Sequence, residues 1–303
     1  MKNNLNIGIS ITLPVNWNYI TPEYSNDINT NQDYDELSNI SIMKNFNSLQ
    51  IMFSRTNLSN TDLSNIKKFV KKIKYKYVYI HASYQINIGA EPIPMQNNLY
   101  NPGLDIFLTE IKSGIEVGAN GIIVHMGKNV KNQYDSDNVY NNMVNFVIQL
   151  FNEIKTKKIL KKSSKSKNFM ILFETPAGVG GEMCYDINEI VNFIQIFKPT
   201  DFYDKIGLCI DTCHIFQAGH NLNDKEEIKK IHQILNPIKE KIKVIHLNDS
   251  YHSMGKRIDR HEQIGKGHIL IDNLIKFILP YKNLPLILET KPPYENQIKL
   301  LTN

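Results

Sequence analysis

Residues 206–212 read IGLCIDT, a nearly continuous apolar run that ends in the polar residues Asp211 and Thr212. Such a run is typical of a strand buried on both faces of a parallel sheet, because helices cover that kind of sheet on each side. Seven further runs share this pattern, at residues 6–12, 48–53, 77–84, 121–127, 168–175, 242–249 and 285–290. Together they predict eight parallel strands.

Helical periodicity occupies the intervals between these strands. Apolar residues recur at helical spacing within residues 63–73, 104–115, 143–154, 187–194, 228–238 and 271–278, and a weaker pattern covers residues 34–46. Eight strands alternating with helices over 303 residues predict an α/β fold, a (β/α)8 TIM barrel with its active site at the C-terminal ends of the strands. The alternative is an open doubly wound sheet, but no strand is followed by the glycine-rich phosphate loop typical of nucleotide-binding examples.

The composition excludes several classes of protein. With 42% hydrophobic and 21% charged residues the chain is not disordered, and its three cysteines do not form a disulfide framework. The net charge of +5 permits a nucleic-acid partner without indicating one. We expect one domain over residues 1–303, with an Asn-rich insertion at about residues 14–36. We also expect a monomer without a membrane partner, located in the cytoplasm or nucleus, or in a virion if the source is viral.

Histidines and carboxylates stand at the ends of six consecutive predicted strands or in the loops that follow. They are His81, His125, Glu174, Asp211, His214, His246, Asp259, His261 and Glu289. A single histidine at a strand end is usually a hydrogen-bonded structural group, and an Asp-Arg-His triplet alone is compatible with an exposed ion pair. Their shared placement on one rim of a barrel instead predicts a metal centre.

The ligand types indicate which metals this centre would bind. Five imidazoles and four carboxylates without a cysteine suit zinc or manganese bound through nitrogen and oxygen. Nine side chains are too many for one ion, whereas three or four for each ion, with one carboxylate bridging, would serve three. Metal ions about 3.5–4 Å apart are the arrangement used for phosphoester cleavage.

Several motifs resemble those of the endonuclease IV family, the zinc-dependent apurinic/apyrimidinic endonucleases. The longest is DTCHIFQAG at residues 211–219. The others are HASYQIN at 81–87, ETPAG at 174–178, HLNDS at 246–250, DRH at 259–261 with IGKG at 264–267, and LET at 288–290. The resemblance covers roughly residues 48–292, with the motifs in family order.

The resemblance implies a ligand set for each of three ions. His81, His125 and Glu174 would hold the first zinc; Glu174 would bridge to a second held by Asp211, His246 and Glu289; and His214, Asp259 and His261 would hold a third ion, zinc or manganese. Glu174 would thereby be the central catalytic residue.

The resemblance also implies a substrate and a reaction. The substrate would be double-stranded DNA with an abasic site, cleaved 5′ to that site to leave a 3′-hydroxyl and a 5′-deoxyribose phosphate, and the family also trims 3′-blocked ends. Tyr84 matches the family's inserting tyrosine, and Gln85 stands where the family usually has leucine. We expect Arg55 and Arg260 on the DNA-facing rim.

Two other functions remain open at this point. One is a sugar isomerase or epimerase of the xylose-isomerase type, which usually binds one or two divalent ions mainly through carboxylates. The five histidines and the DRH loop oppose it. The other is a catalytically inactive DNA-binding barrel, which would require a missing ligand, and every family ligand position is filled.

Overall fold

The computed structural model describes residues 5–13, 46–53, 57–95, 98–130, 133–160 and 165–302. Eight parallel strands form a closed barrel in which each strand pairs with its neighbours in the chain and the last pairs with the first. The strands are β1 (Asn6–Leu13), β2 (Ser48–Phe53), β3 (Tyr77–His81), β4 (Gly121–His125), β5 (Met170–Glu174), β6 (Ile206–Asp211), β7 (Ile242–His246) and β8 (Pro285–Leu288). The predicted TIM barrel is confirmed, and all eight predicted strands are present.

Helices cover the outside of the barrel. They are α1 (Asn60–Ile73), α2 (Pro102–Val117), α3 (Ser136–Thr156), α4 (Ile187–Ile196), α5 (Thr212–Gln217), α6 (Lys225–Leu235), α7 (Ile271–Ile278) and α8 (Tyr294–Thr302). Five of the six strongly periodic segments lie within α-helices as predicted, and the sixth, at residues 228–238, is α-helical only to Leu235 and continues as a 3-10 helix over Asn236–Lys241. Helices α5 and α8 were not predicted. The helix predicted over residues 34–46 falls, except for Phe46, outside the described residues, as does the Asn-rich segment 14–36.

Local sequence determines where these helices begin. The Ser59 hydroxyl accepts a hydrogen bond from the Asp62 amide, and the Asp62 carboxylate accepts one from the Ser59 amide, so the two residues form a capping box at the start of α1. Asn101 and Asp135 cap α2 and α3 with their side-chain oxygens. No helix among the described residues is both long and apolar enough to cross a membrane.

Two layers of buried side chains fill the fold. The larger lies between the strands and the surrounding helices. The smaller is a separate cluster of one residue from each of β3 to β8: Tyr79, Ile123, Leu172, Cys209, Val244 and Ile287. In every one of these six strands, the residue two positions further along the chain is a predicted metal ligand. On β8 that ligand, Glu289, is the residue that directly follows the strand. Since residues i and i+2 of a strand share one face, this cluster forms the floor of the barrel mouth and the ligands lie above it.

A buried carboxylate on α2 makes stability depend on pH. Glu110 accepts a hydrogen bond from the Ser83 amide, but burial raises the pKa of its carboxyl to about 7. Because the folded chain holds this proton more tightly than the unfolded chain, stability falls as the pH rises from about 4.5 to about 7. Glu110→Gln removes this titration, so we expect the variant's stability relative to the native chain to rise by about 2 kcal/mol between pH 5 and pH 8.

Urea unfolding of both proteins at the two pH values checks this expectation, because effects of pH common to both proteins cancel in the difference. A difference in stability that stays constant across this range would show that Glu110 is not protonated near neutral pH.

Candidate metal centre

The nine predicted ligands lie together at the C-terminal mouth of the barrel. Seven of them line a cavity of about 230 Å³. The other two, Asp211 and His246, are fully buried beneath it. Three groups of these side chains have ligand atoms that all lie within 4.8 Å of one another.

The first group consists of His81, His125 and Glu174. Glu174 Oε2 lies 3.1 Å from His81 Nε2 and 3.7 Å from His125 Nε2. The His81 Nδ1 atom faces the carbonyl oxygen of Ala82 at 3.0 Å. A proton on Nδ1 would satisfy that carbonyl and leave the Nε2 lone pair facing Glu174, as a metal ligand requires.

The second group shares Glu174 with the first and adds Asp211, His246 and Glu289. His246 Nδ1 lies 2.7 Å from Glu174 Oε1, 3.1 Å from Glu289 Oε2 and 3.7 Å from Asp211 Oδ2. The two oxygens of Glu174 therefore point into different groups, which is the geometry that a bridging carboxylate needs.

The third group contains His214, His261 and Asp211. Asp259, which the resemblance implies as the third ligand here, is not a member of this group but lies next to it, with Oδ1 3.0 Å from His214 Nε2 and 3.3 Å from His261 Nε2. His261 Nε2 is also 3.5 Å from Asp211 Oδ2. Asp211 thus lies between the second and third groups, a placement that the sequence did not predict.

Backbone geometry holds the third group in place. Asp211 is the N-cap of α5 and accepts a hydrogen bond from the His214 amide, which places both side chains at the end of β6. His261 returns to the site because residues 249–250 pair with residues 261–262 as an antiparallel ladder. The buried Asp249 carboxylate anchors the chain that follows by accepting hydrogen bonds from the amides of Gly265, Gly267 and Ile269.

Burial and neighbouring charges oppose each other at these groups. Burial favours a neutral Glu174, but His246 and His125 hold the pKa of its carboxyl well below the usual value. Burial raises the pKa of Asp211. Although burial favours a neutral His214, Asp211 and Asp259 hold its pKa well above the usual range. Without metal ions the carboxylates are thus compensated by protons on neighbouring imidazoles, a role that divalent cations can take over.

The orphaned nitrogens of His125 provide a test of whether these residues suit metal ions. Both ring nitrogens are buried without a hydrogen-bond partner in the described part of the chain, and burial lowers the pKa of the ring to about 4. A neutral imidazole with an unsatisfied, buried nitrogen is costly unless the nitrogen binds a metal. The donor set of nitrogen and oxygen atoms also fits zinc or manganese.

The candidate DNA contacts lie at the edge of the same mouth. Tyr84 is 67% exposed, and its ring centroid lies 5.9 Å from that of His81 and 5.2 Å from that of His125. Gln85 is exposed beside it. The Arg260 guanidinium lies over the Tyr251 ring at 4.2 Å. Arg55 falls outside the described residues.

Two buried amides that contact the ligands were not predicted. Asn248 donates hydrogen bonds to Asp211 Oδ2 at 2.7 Å and Glu289 Oε2 at 3.1 Å. Gln50 contacts His246 and Glu289. A signal was present for both: Asn248 is two residues beyond His246, and Gln50 is the one amide within the otherwise apolar centre of the run at residues 48–53.

The chain resembles known proteins in sequence and in structure. Residues 42–302 match the family described as a xylose isomerase-like TIM barrel. A protein named probable endonuclease 4 from Mesomycoplasma hyopneumoniae (strain J) is 34% identical over 247 residues, covering 78% of this chain and 79% of the relative. A protein of the same name from Mycoplasmopsis agalactiae is 33% identical over 243 residues, covering 78% of each chain.

Two solved structures share the fold. The crystal structure of endonuclease IV from Thermus thermophilus has a TM-score of 0.67 at 18% identity, covering 98% of this chain and 96% of that one. A D-tagatose 3-epimerase-like protein has a TM-score of 0.65 at 14% identity, covering 98% and 94% of the two chains. At these identities the structural likeness establishes the barrel and does not distinguish a nuclease from an epimerase.

Proposed function

Because this chain belongs to the endonuclease 4 family of xylose isomerase-like TIM barrels, we propose that it is a metal-dependent endonuclease of DNA repair. Its substrate is double-stranded DNA with an abasic site, in which it hydrolyses the phosphodiester on the 5′ side. The products are a 3′-hydroxyl and a 5′-deoxyribose phosphate, and blocked 3′ ends are further substrates. The protein acts as a monomer.

The observation that carries this proposal is the position of Glu174 between the first and second groups. Its two carboxylate oxygens face His81 and His246 in different directions, so one side chain can hold two ions side by side. Paired divalent ions are the arrangement suited to in-line displacement at phosphorus. Five imidazoles among nine candidate ligands argue against a sugar isomerase or epimerase, whose ions are usually held mainly by carboxylates.

Each side chain has a role in this scheme. The first group would hold one ion, the second group a second, and His214, Asp259 and His261 a third, and Asp211 belongs to the second group and also contacts His261. The ions are zinc, with manganese an option at the third position. When bound, they supply Lewis acidity that activates water and stabilises negative charge on the phosphate. The layer of buried, mainly apolar side chains below the site closes the barrel interior, so water can reach the site only from the mouth of the barrel.

An incision assay tests the proposal. Two labelled duplexes of identical sequence are incubated with zinc-loaded protein, one carrying a single abasic-site analogue and the other an ordinary nucleotide. We expect a cut only in the first duplex, immediately 5′ to the lesion, and a product end that a DNA polymerase extends. An abasic duplex that stays intact at saturating protein with zinc or manganese would refute the proposed function.

Tyr84 is the proposed contact to the gap left by the missing base. An abasic nucleotide is cheaper to displace than an intact one, and an inserted aromatic ring compensates for lost base stacking. We expect Tyr84→Ala to weaken binding of abasic duplex about 10- to 100-fold, since stacking on one base contributes about 1–3 kcal/mol. Because the side chain is 67% exposed, thermal stability should hardly change.

Leu279→Ala is the matched control for this variant. Leu279 is 49% exposed and lies beyond α7 at the opposite end of the barrel. Fluorescence anisotropy with a labelled abasic duplex should give native affinity for this control. Native affinity in Tyr84→Ala as well would exclude insertion of Tyr84 into the DNA.

A further inference from the structure

We propose that Gln50 is a positioning residue that fixes the tautomer of His246 and the orientation of Glu289 for the second metal ion. This inference rests on the proposed metal-dependent function. Gln50 lies on β2 and is fully buried, although no residue of β2 belongs to the three ligand groups. A buried amide in a strand of the barrel interior is unfavourable unless its polar atoms are used, so its partners define its role.

The partners of Gln50 fix the direction of its amide group. Gln50 Nε2 donates to Glu289 Oε1 at 2.6 Å and to Ser10 Oγ at 3.0 Å. An ionised carboxylate can only accept hydrogen bonds, so the nitrogen of the amide must face Glu289. The amide oxygen therefore faces His246, whose Nε2 atom lies 2.7 Å away.

The direction of the amide in turn fixes His246. An amide oxygen only accepts, so His246 must carry its proton on Nε2 and donate it to Gln50. When a metal ion takes the place of any proton on Nδ1, the lone pair of that atom would face Glu174, Glu289 and Asp211, which are the other members of the second group. With an apolar residue in place of Gln50, the proton could move to Nδ1 and bind Glu174 directly, which would block the nitrogen that a metal ion needs.

His246 differs in this respect from two other histidines of the centre. His81 and His214 each direct Nδ1 at a backbone carbonyl oxygen, of Ala82 and Thr175 respectively. His246 depends instead on a side chain. Among these three histidines, His246 is therefore the one whose tautomer a single side-chain substitution can change.

The geometry also separates positioning from substrate contact. Both N–H groups of the Gln50 amide are used by Glu289 and Ser10, and its oxygen is used by His246. The side chain is fully buried below the cavity, so no donor remains for a phosphate or a sugar. Gln50 can act on the reaction only through the two ligands that it holds.

Metal binding without DNA provides the test. Apo-protein is titrated with zinc against a chromophoric chelator for the native chain, Gln50→Leu and Gln50→Met. We expect three ions in the native chain and, in both variants, one ion bound about 10- to 100-fold more weakly. With abasic duplex as substrate, kcat should fall while KM changes little. Excess zinc should restore part of the lost kcat, whereas a merely structural defect would not respond to zinc.

Asn273→Leu is the matched control, because Asn273 is a buried amide on α7 that hydrogen bonds to the Asn223 carbonyl, outside the three ligand groups. It should lower thermal stability and leave zinc affinity unchanged. Three ions bound with native affinity in a folded Gln50 variant would overturn the inference and leave the proposed endonuclease standing. A native chain that binds no metal would instead refute the proposed function.

A measurement on the native protein keeps the inference testable even if both variants fail to fold. Long-range ¹H–¹⁵N correlation spectra distinguish the two ring nitrogens of each histidine. In the zinc-loaded native chain we expect His246 to be protonated at Nε2 and metal-bound at Nδ1. A proton on Nδ1 of His246 would overturn the inference.

Discussion

Glu174→Gln is expected to lower the rate of abasic-site incision by on the order of 10⁴-fold or more while leaving the barrel folded. The amide keeps the shape of the side chain but removes the charge that faces His81, His125 and His246. A neutral amide is a poor ligand for two ions at once, so the first and second groups both lose their shared member. Single-turnover incision measures the rate, and metal analysis of the same sample measures the number of ions retained.

Glu110→Gln is the matched control for this loss. Glu110 is also a buried glutamate, but it contacts the Ser83 backbone and lies outside the ligand groups. It should incise at close to the native rate. Incision by Glu174→Gln within about tenfold of the native rate would contradict a bridging role for this carboxylate.

Removal of the metal ions is expected to abolish incision and to lower the melting temperature by at least about 10 °C. An ion at a thousand times its dissociation constant stabilises the folded state by about 4 kcal/mol. In a chain of 303 residues each kcal/mol corresponds to about 1.6 °C, so three ions bound this tightly would together raise the melting temperature by more than about 10 °C. The apo-protein must also keep four carboxylates and five histidines close together with only imidazole protons to compensate the carboxylate charges.

Chelation, dialysis and differential scanning calorimetry test this expectation, and return of zinc should restore both activity and melting temperature. Elemental analysis of the reloaded protein should give about three ions per chain if each of the three ligand groups binds one, as we propose. One ion per chain, or undiminished incision in excess chelator, would contradict the three-ion centre.

The sequence was sufficient to predict the barrel because its pattern is local. Each strand is a short apolar run that ends in polar residues, and this repeats eight times with helical intervals. The short α5 and the terminal α8 escaped prediction: α5 spans only six residues directly after β6, and Tyr294, Ile298 and Leu301 of α8 form a sparse apolar pattern.

The candidate ligands could be predicted as a set because parallel strands place their C-terminal ends on one rim. Their partners could not be predicted in the same way. Gln50 reaches His246 and Glu289 across the barrel, and that contact depends on how the strands are offset when the barrel closes. Asp211 approaches His261 only because the loop after β7 folds back as a hairpin. Neither contact produces a periodic pattern in the sequence from which it could be predicted.

The apolar floor of the barrel mouth has a consequence for how substitutions in this protein divide between stability and activity. Leu172 and Val244 belong to that floor, yet each is joined through one intervening residue to Glu174 or His246. A change in side-chain volume at either position shifts the strand segment that carries the ligand, because packed interiors transmit displacement rather than absorb it. Residues of these strands that stabilise the fold therefore also position candidate ligands, and we expect substitutions in the floor to change the affinity of the proposed metal centre.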